Sequence, residues 1–258
     1  MPSVRLGPII GLIFSAAFLG ALWLTIGLRA AGWIIGGCYA VAIAILVTRA
    51  MHRTETARFG PADWVTITRA ALVGGVTALT ADSLTGAVPA TVFVSITTAA
   101  LVLDAVDGLV ARRTLTASSF GARFDMEVDA FLIAVLSVYV APMVGGWVLT
   151  IGAMRYAYVA ASWVLPWMHR TPPPRYWCKV VAAIQGIVLV VVAAEVVWPW
   201  LSIAALLIAL ALLVESFGRD FLWLWRRRGE PLPQAGVDVA GAAQRPEALE
   251  QPLQRERV

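Results

Sequence analysis

The sequence predicts an all-α polytopic membrane protein with about eight transmembrane helices. Of its 258 residues 60% are hydrophobic and only 14% charged, with a mean hydropathy of +0.79. A soluble domain carries roughly 25% charged residues, so lipid, not water, must solvate most of this surface. Long apolar stretches also recur along the chain, separated by short loops that alternate between basic and nearly uncharged. The 2 cysteines, Cys38 and Cys178, have no second Cys or His at ligand spacing. They read as small packing residues, and nothing in their spacing supports a disulfide or a zinc site. With only 2 His a histidine metal centre is excluded too, and a net charge of +4 spread over loops gives no reason to expect a nucleic-acid partner.

Residues 7–28 are apolar throughout and long enough to cross roughly 30 Å of hydrocarbon. Arg5 before this run would also suit a signal peptide, but a second apolar run, 31–47, follows with no convincing cleavage site. The two runs read as a spanning hairpin turned at Arg29 and Ala30. Residues 48–60 are polar and basic, and Pro61 followed by Asp63 has the character of a helix start, with Asp63 as cap. That helix runs to about Ala81 and ends at 82–86, and Pro89 starts the next, which continues through Leu103. A partner helix covers 118–140, and Pro142 with Gly145 and Gly146 marks a turn. A span over 147–167 is interrupted by Arg155, and the last two spans cover 180–197 and 200–214. Residues 219–228 are basic, and the remaining 30 residues form a polar tail without apolar periodicity, which is expected to be disordered. The division expected is a hairpin over 1–48, a six-helix core over 49–228 and a tail over 229–258.

Most of the 11 tryptophans lie at segment ends, where interfacial anchoring explains them. The pairs Gly36–Gly37 and Gly74–Gly75 suit close helix packing. Basic loops at 49–58, 112–123, 169–179 and 219–228 alternate with loops holding Arg29, Asp82 and Glu195. The positive-inside rule therefore puts the basic loops and both termini in the cytoplasm of a multi-pass plasma-membrane protein.

Against this background the stretch 104–129 is anomalous, because it carries Asp104, Asp107, Asp125 and Asp129. On helices, the first two share a face and so do the last two. Four anions gathered in low dielectric need compensation. A pair of divalent cations with oxygen ligands, Mg²⁺ or Mn²⁺, is the simplest source, and it implies a phosphate-bearing substrate. The competing reading is a polar cluster in a transporter or scaffold, since intramembrane carboxylates also mark ion pathways. An ion path, however, requires neither Gly108 and Ala111 at their offsets nor Arg112 beside them.

The pattern Asp104-x2-Asp107-Gly108-x2-Ala111-Arg112-x8-Gly121-x3-Asp125-x3-Asp129 resembles the signature of the CDP-alcohol phosphotransferase family at all eight fixed residues over 26 positions. The resemblance covers residue 61 to about 221. It implies a six-helix core, often dimeric, that transfers a substituted phosphate group from a CDP-linked donor to an alcohol and releases CMP. The four aspartates would be the metal ligands and Asp129 also the general base, while Gly108, Ala111, Arg112 and Gly121 would line the nucleotide site. The family's Asn-x-x-Thr-x-x-Arg segment is met by Asp63, Thr66 and Arg69, with Asp in place of Asn. The plainer reading of this segment is a capping residue and an interfacial arginine.

For most bacterial members the donor is CDP-diacylglycerol. The reaction expected from the resemblance is phosphatidyl transfer to a polyol or polyol phosphate. Two alternatives stay open: a CDP-linked head group passed to a lipid or other alcohol, and a silent scaffold that binds CDP-lipid. Arg155, Arg170, Arg175 and Lys179 are cations that could hold an acceptor phosphate, which favours glycerol 3-phosphate or inositol phosphate; for Arg170 and Arg175 a topology signal explains them equally well. Arg155, Arg175 and Lys179 are taken as the acceptor contacts. Lys179 and Gln185 match part of a pattern of phosphatidylglycerophosphate synthases, but Val181 and Ala182 stand where that pattern has Lys and Thr.

Overall fold

The computed structural model describes the backbone of residues 6–53, 61–114, 119–170 and 176–228, and the side chains of 9–49, 65, 67–106, 125–168, 170 and 176–228. Within these residues the chain is all helical. It comprises α1 (Leu6–Ile26), α2 (Ala30–Arg53), α3 (Pro61–Ser83), α4 (Ala90–Thr114), α5 (Ser119–Val144), α6 (Leu149–Val164), α7 (Tyr176–Ala193) and α8 (Pro199–Arg226). Short 3₁₀ turns at Gly146–Val148 and Pro166–His169 flank α6.

Five of these helices, α1, α2, α5, α7 and α8, carry segments long and apolar enough to cross a membrane. Among the described residues the other three carry shorter or less apolar segments. Helix α3 packs against α1, α2, α4 and α5, so small and polar residues facing neighbours replace apolar residues facing lipid. Its inward stripe of Arg69, Val73, Val76, Thr77 and Thr80 is buried. Among the described residues, the apolar part of α4 covers Ala90–Val106. Helix α6 has only 16 residues. Elsewhere Leu24, Ile34, Ile187, Leu207 and Ile208 stand exposed, as side chains solvated by lipid do.

Four buried hydroxyls are satisfied inside their own helices, as a low-dielectric setting favours. Thr77, Thr80, Thr97 and Ser137 donate to the carbonyls of Val73, Val76, Phe93 and Ile133 at 2.7–2.9 Å. Helix α5 passes through Pro142, expected as a turn, and ends two residues later. The Gly145 amide still bonds the Ala141 carbonyl at 2.9 Å, and the Trp147 indole donates to the Val144 carbonyl at 3.0 Å. The turn falls at Gly145, whose φ of +109° suits glycine. Helix α8 runs from Pro199 into the basic stretch, well past the expected end at 214, and α3 begins at Pro61, so Asp63 lies in its first turn and not at the cap position.

The hairpin shares one core with the rest of the chain. Leu19, Leu22 and Leu28 cluster with Val73, Val76, Leu79, Leu132 and Leu136. Gly75 faces the Phe18 ring so closely that any side chain there would collide with it. The α1–α2 turn sits at Gly27, with φ +72°, where its amide bonds the Trp23 carbonyl at 2.9 Å, a left-handed helix cap.

The start of α2 has no cap of its own and takes one from α3. The Asp82 carboxylate, almost fully buried, accepts the amides of Arg29 and Gly32 at 2.6 Å each. A Cβ on Gly32 would stand 2.8 Å from that carboxylate, so this approach requires glycine. Asp82, expected as a loop charge, is thus a helix cap acting between elements. Replacing Asp82 by Ala orphans the buried Gly32 amide and the part-buried Arg29 amide, and the expected loss is about 2 kcal/mol, read as a lowered Tm of the detergent-purified protein. An unchanged Tm would remove the cap from the account.

Candidate active site

Helix α3 adjoins both α4 and α5, and that arrangement builds the site. Asp125 and Asp129 lie one turn apart on α5, and Asp104 projects from α4 into the same gap. One carboxylate oxygen from each lies within 4.8 Å of the others. Into this triangle reaches Arg69, from the buried stripe of α3. Its Nη1 donates to Asp104 Oδ1 at 2.8 Å and to Asp125 Oδ1, and its Nη2 donates to Asp129 Oδ1.

The guanidinium is 2% exposed, whereas the three carboxylates are 33–39% exposed. The cation therefore lies beneath and the anions open outward. A planar guanidinium can bridge three carboxylates where a lysine ammonium would be less well matched. Arg69 was expected beside the nucleotide; the structure gives it the three carboxylates as partners.

Three carboxylates against one guanidinium leave two negative charges. That residue of charge, carried by hard oxygen donors, equals one divalent cation. The residues present therefore fit such an ion, with Asp104, Asp125 and Asp129 as ligands. Asp107 lies on α4 within the same motif, but its side chain is outside the described residues, as are Asp63, Thr66, Gly108, Ala111, Arg112 and Gly121. Arg175 lies outside the described residues altogether.

Arg155, which interrupts the apolar pattern of α6, has the partner such a charge needs. Its Nη2 donates to Glu127 Oε1 on α5 at 2.5 Å. Glu127 sits between Asp125 and Asp129 in sequence, but two residues is more than half a helical turn, so it points away from their shared face. The Arg155 Nε is buried with no hydrogen-bond partner among the described residues. Lys179 is exposed on α7, while Gln185, six residues on, is fully buried and donates to the Ala209 carbonyl at 2.7 Å. These two are not brought together, and Gln185 serves the α7–α8 contact.

Two neighbours of the site were not singled out from the sequence. Glu127 carried a weak signal, as an acidic residue inside the motif. Tyr39 on α2 stacks on Phe131 of α5, with centroids 5.0 Å apart and planes at 21°, and borders Gly74 of α3. Its only signal was a polar tip within an apolar span.

The family model for CDP-alcohol phosphatidyltransferase matches residues 59–215, more than half of the chain. No curated protein and no solved structure matches the chain. The chain belongs to the CDP-alcohol phosphatidyltransferase family.

Removing Arg69 leaves the carboxylates facing each other without their buried cation. Arg69→Met should cost about 3–5 kcal/mol in chelator, with part of the loss recovered in millimolar Mg²⁺, measured as Tm. A Tm equal to wild type in chelator would contradict the role given to Arg69.

Proposed function

We propose that this member of the family moves a phosphatidyl group from CDP-diacylglycerol to a polyol or polyol-phosphate acceptor and releases CMP. Glycerol 3-phosphate and inositol phosphate are the favoured acceptors. The observation that supports this most is the convergence of Asp104, Asp125 and Asp129 from two helices above a buried Arg69. A transporter path needs no such triangle of oxygen donors at the end of a family signature.

In this reading Asp104, Asp107, Asp125 and Asp129 hold Mg²⁺ or Mn²⁺, two ions in all. When bound, the ions supply charge neutralisation to the pyrophosphate and to the departing CMP. The protein supplies position and a proton acceptor. Gly108 and Ala111 are small enough for a nucleotide to lie on α4, Arg112 pairs with phosphate oxygens, and Asp63, Thr66 and Gly121 complete the nucleotide contacts.

Asp129 takes the proton from the acceptor hydroxyl as its oxygen bonds to the phosphatidyl phosphorus and the bridging bond to CMP breaks. Arg69 already occupies Asp129 Oδ1, which leaves the other carboxylate oxygen for that proton. Arg155, Arg175 and Lys179 hold the acceptor phosphate. The basic loops support a cytoplasmic orientation of this site in the plasma membrane, and in this reading the protein works as a homodimer.

The test is CMP release by purified protein with CDP-diacylglycerol and Mg²⁺ or Mn²⁺ over a panel of acceptors: glycerol 3-phosphate, inositol phosphate, inositol, serine and phosphatidylglycerol. Metal-dependent release with one phosphorylated polyol is expected. Asp129→Asn should lower turnover by about 100-fold or more while CDP-lipid binding persists, and wild-type turnover in that variant would remove Asp129 as base. Arg155→Ala should raise KM for a phosphorylated acceptor about tenfold or more and leave KM for CDP-diacylglycerol unchanged. CMP release with serine alone would refute the acceptor class.

A further inference from the structure

Helix α8 ends in arginines that the proposed reaction does not use. Arg219, the first on this stretch, is paired with Glu215 one turn earlier. Among the described residues Arg226, Arg227 and Arg228 have no carboxylate partner, and all three are exposed. Arg226 suits the negative end of the helix dipole. The other two are placed more specifically. The Arg227 guanidinium carbon lies 4.2 Å from the centroid of the Trp223 ring, and that of Arg228 lies 3.9 Å from the Trp225 ring. The backbone beneath them is closed, because the Arg227 and Arg228 amides bond the Leu224 and Trp225 carbonyls at 3.1 and 3.3 Å. Trp225 is fixed in turn by Trp167 of the Pro166–His169 turn, which meets Phe221 and Trp225 edge-on with centroids 5.4 and 5.6 Å away.

A charge that serves topology alone needs no such placement, and lysine would do as well. Stacking on an indole covers one face of a guanidinium and leaves the N–H donors along its edge, where they match the oxygens of a phosphodiester. Depth agrees with this. Trp163 and Val164 at the end of α6, with Phe221, Leu222 and Trp225 on α8, stand exposed, as side chains at the membrane interface do. Arg227 follows Phe221 by six residues, about 9 Å further along the axis, which is the step from that apolar surface to the headgroup level. We infer that the end of α8 binds the phosphate of an anionic phospholipid, whose acyl chains lie on the exposed apolar surface below. The occupant is a lipid and not a free phosphate, because that apolar surface continues directly from the cations. Headgroups with a cation of their own are disfavoured beside three unpaired arginines. The site lies past residue 215, where the matched family segment ends, and it does not depend on the reaction proposed above.

The experiment is native mass spectrometry of the full-length protein from micelles holding equal phosphatidylglycerol and phosphatidylcholine. Chelator is present, so that no metal holds a lipid phosphate elsewhere. Wild type should retain phosphatidylglycerol over phosphatidylcholine by roughly tenfold or more, since each arginine near a membrane surface contributes several-fold. Arg226→Gln, Arg227→Gln and Arg228→Gln together should remove most of that preference, although the basic loops elsewhere are intact. Trp223→Leu keeps every charge and should still lower the preference about twofold or more, the worth of an exposed cation–π contact. If the triple variant fails to fold, Arg227→Gln and Arg228→Gln taken singly decide, each expected to lower the preference about threefold or more. Millimolar ammonium phosphate should displace none of the lipid. No preference in wild type, or an equal preference in wild type and the arginine variants, would overturn the site. An undiminished preference in Trp223→Leu would also overturn it, by reducing it to diffuse attraction between charges. Displacement by ammonium phosphate would show a phosphate site instead, and the lipid assignment would fall.

Discussion

The contact between one buried guanidinium and three carboxylates is the constraint on which the rest of the structure turns. Charges of both signs lie in the middle of a bundle that is otherwise close to hydrocarbon, and their burial is tolerable only because Arg69 touches all three anions at once. That contact requires α3 to lie against α4 and α5 together, at the level where Asp104, Asp125 and Asp129 face inward. Helix α3 meets the requirement by being enclosed, and its Ala, Gly and Thr content follows from the enclosure. Small residues let backbones approach, and back-bonded threonines bury their hydroxyls without an external partner.

The same constraint explains why the N-terminal hairpin is more than an addition in front of a core. Helices α1 and α2 cover the flank of α3 that would otherwise face lipid, and they meet it through Phe18 on Gly75 and Tyr39 beside Gly74. Their apolar residues join the cluster that supports α5. The packing that holds α3 in place therefore comes from both sides of residue 59.

Spans and carboxylates were legible in the chain because each rests on a local regularity. Apolar length marks helices that face lipid, and i, i+4 spacing puts Asp125 and Asp129 on one face whatever surrounds them. What was not legible depends on contacts between elements far apart in sequence. Arg69 finds carboxylates 35 to 60 positions away, and no periodicity in α3 announces them. Arg155 signalled that it needed a partner, but only the packing of α6 on α5 names Glu127. Asp82 read as a loop charge because its partners are the amides of α2 and not its own helix. Pro142 read as a break, yet a proline near a helix end loses little, and the end was decided by Gly145 and Trp147.

The borrowed cap on α2 bears on how the chain can assemble. Until the end of α3 arrives, the first amides of α2 have no protein acceptor, and in a membrane water supplies one only at the surface. The hairpin can therefore insert early but cannot settle, and Arg29 and Gly32 stay at the aqueous boundary until Asp82 reaches them. The last turn of α3 becomes the point at which two separately inserted pieces commit to one another.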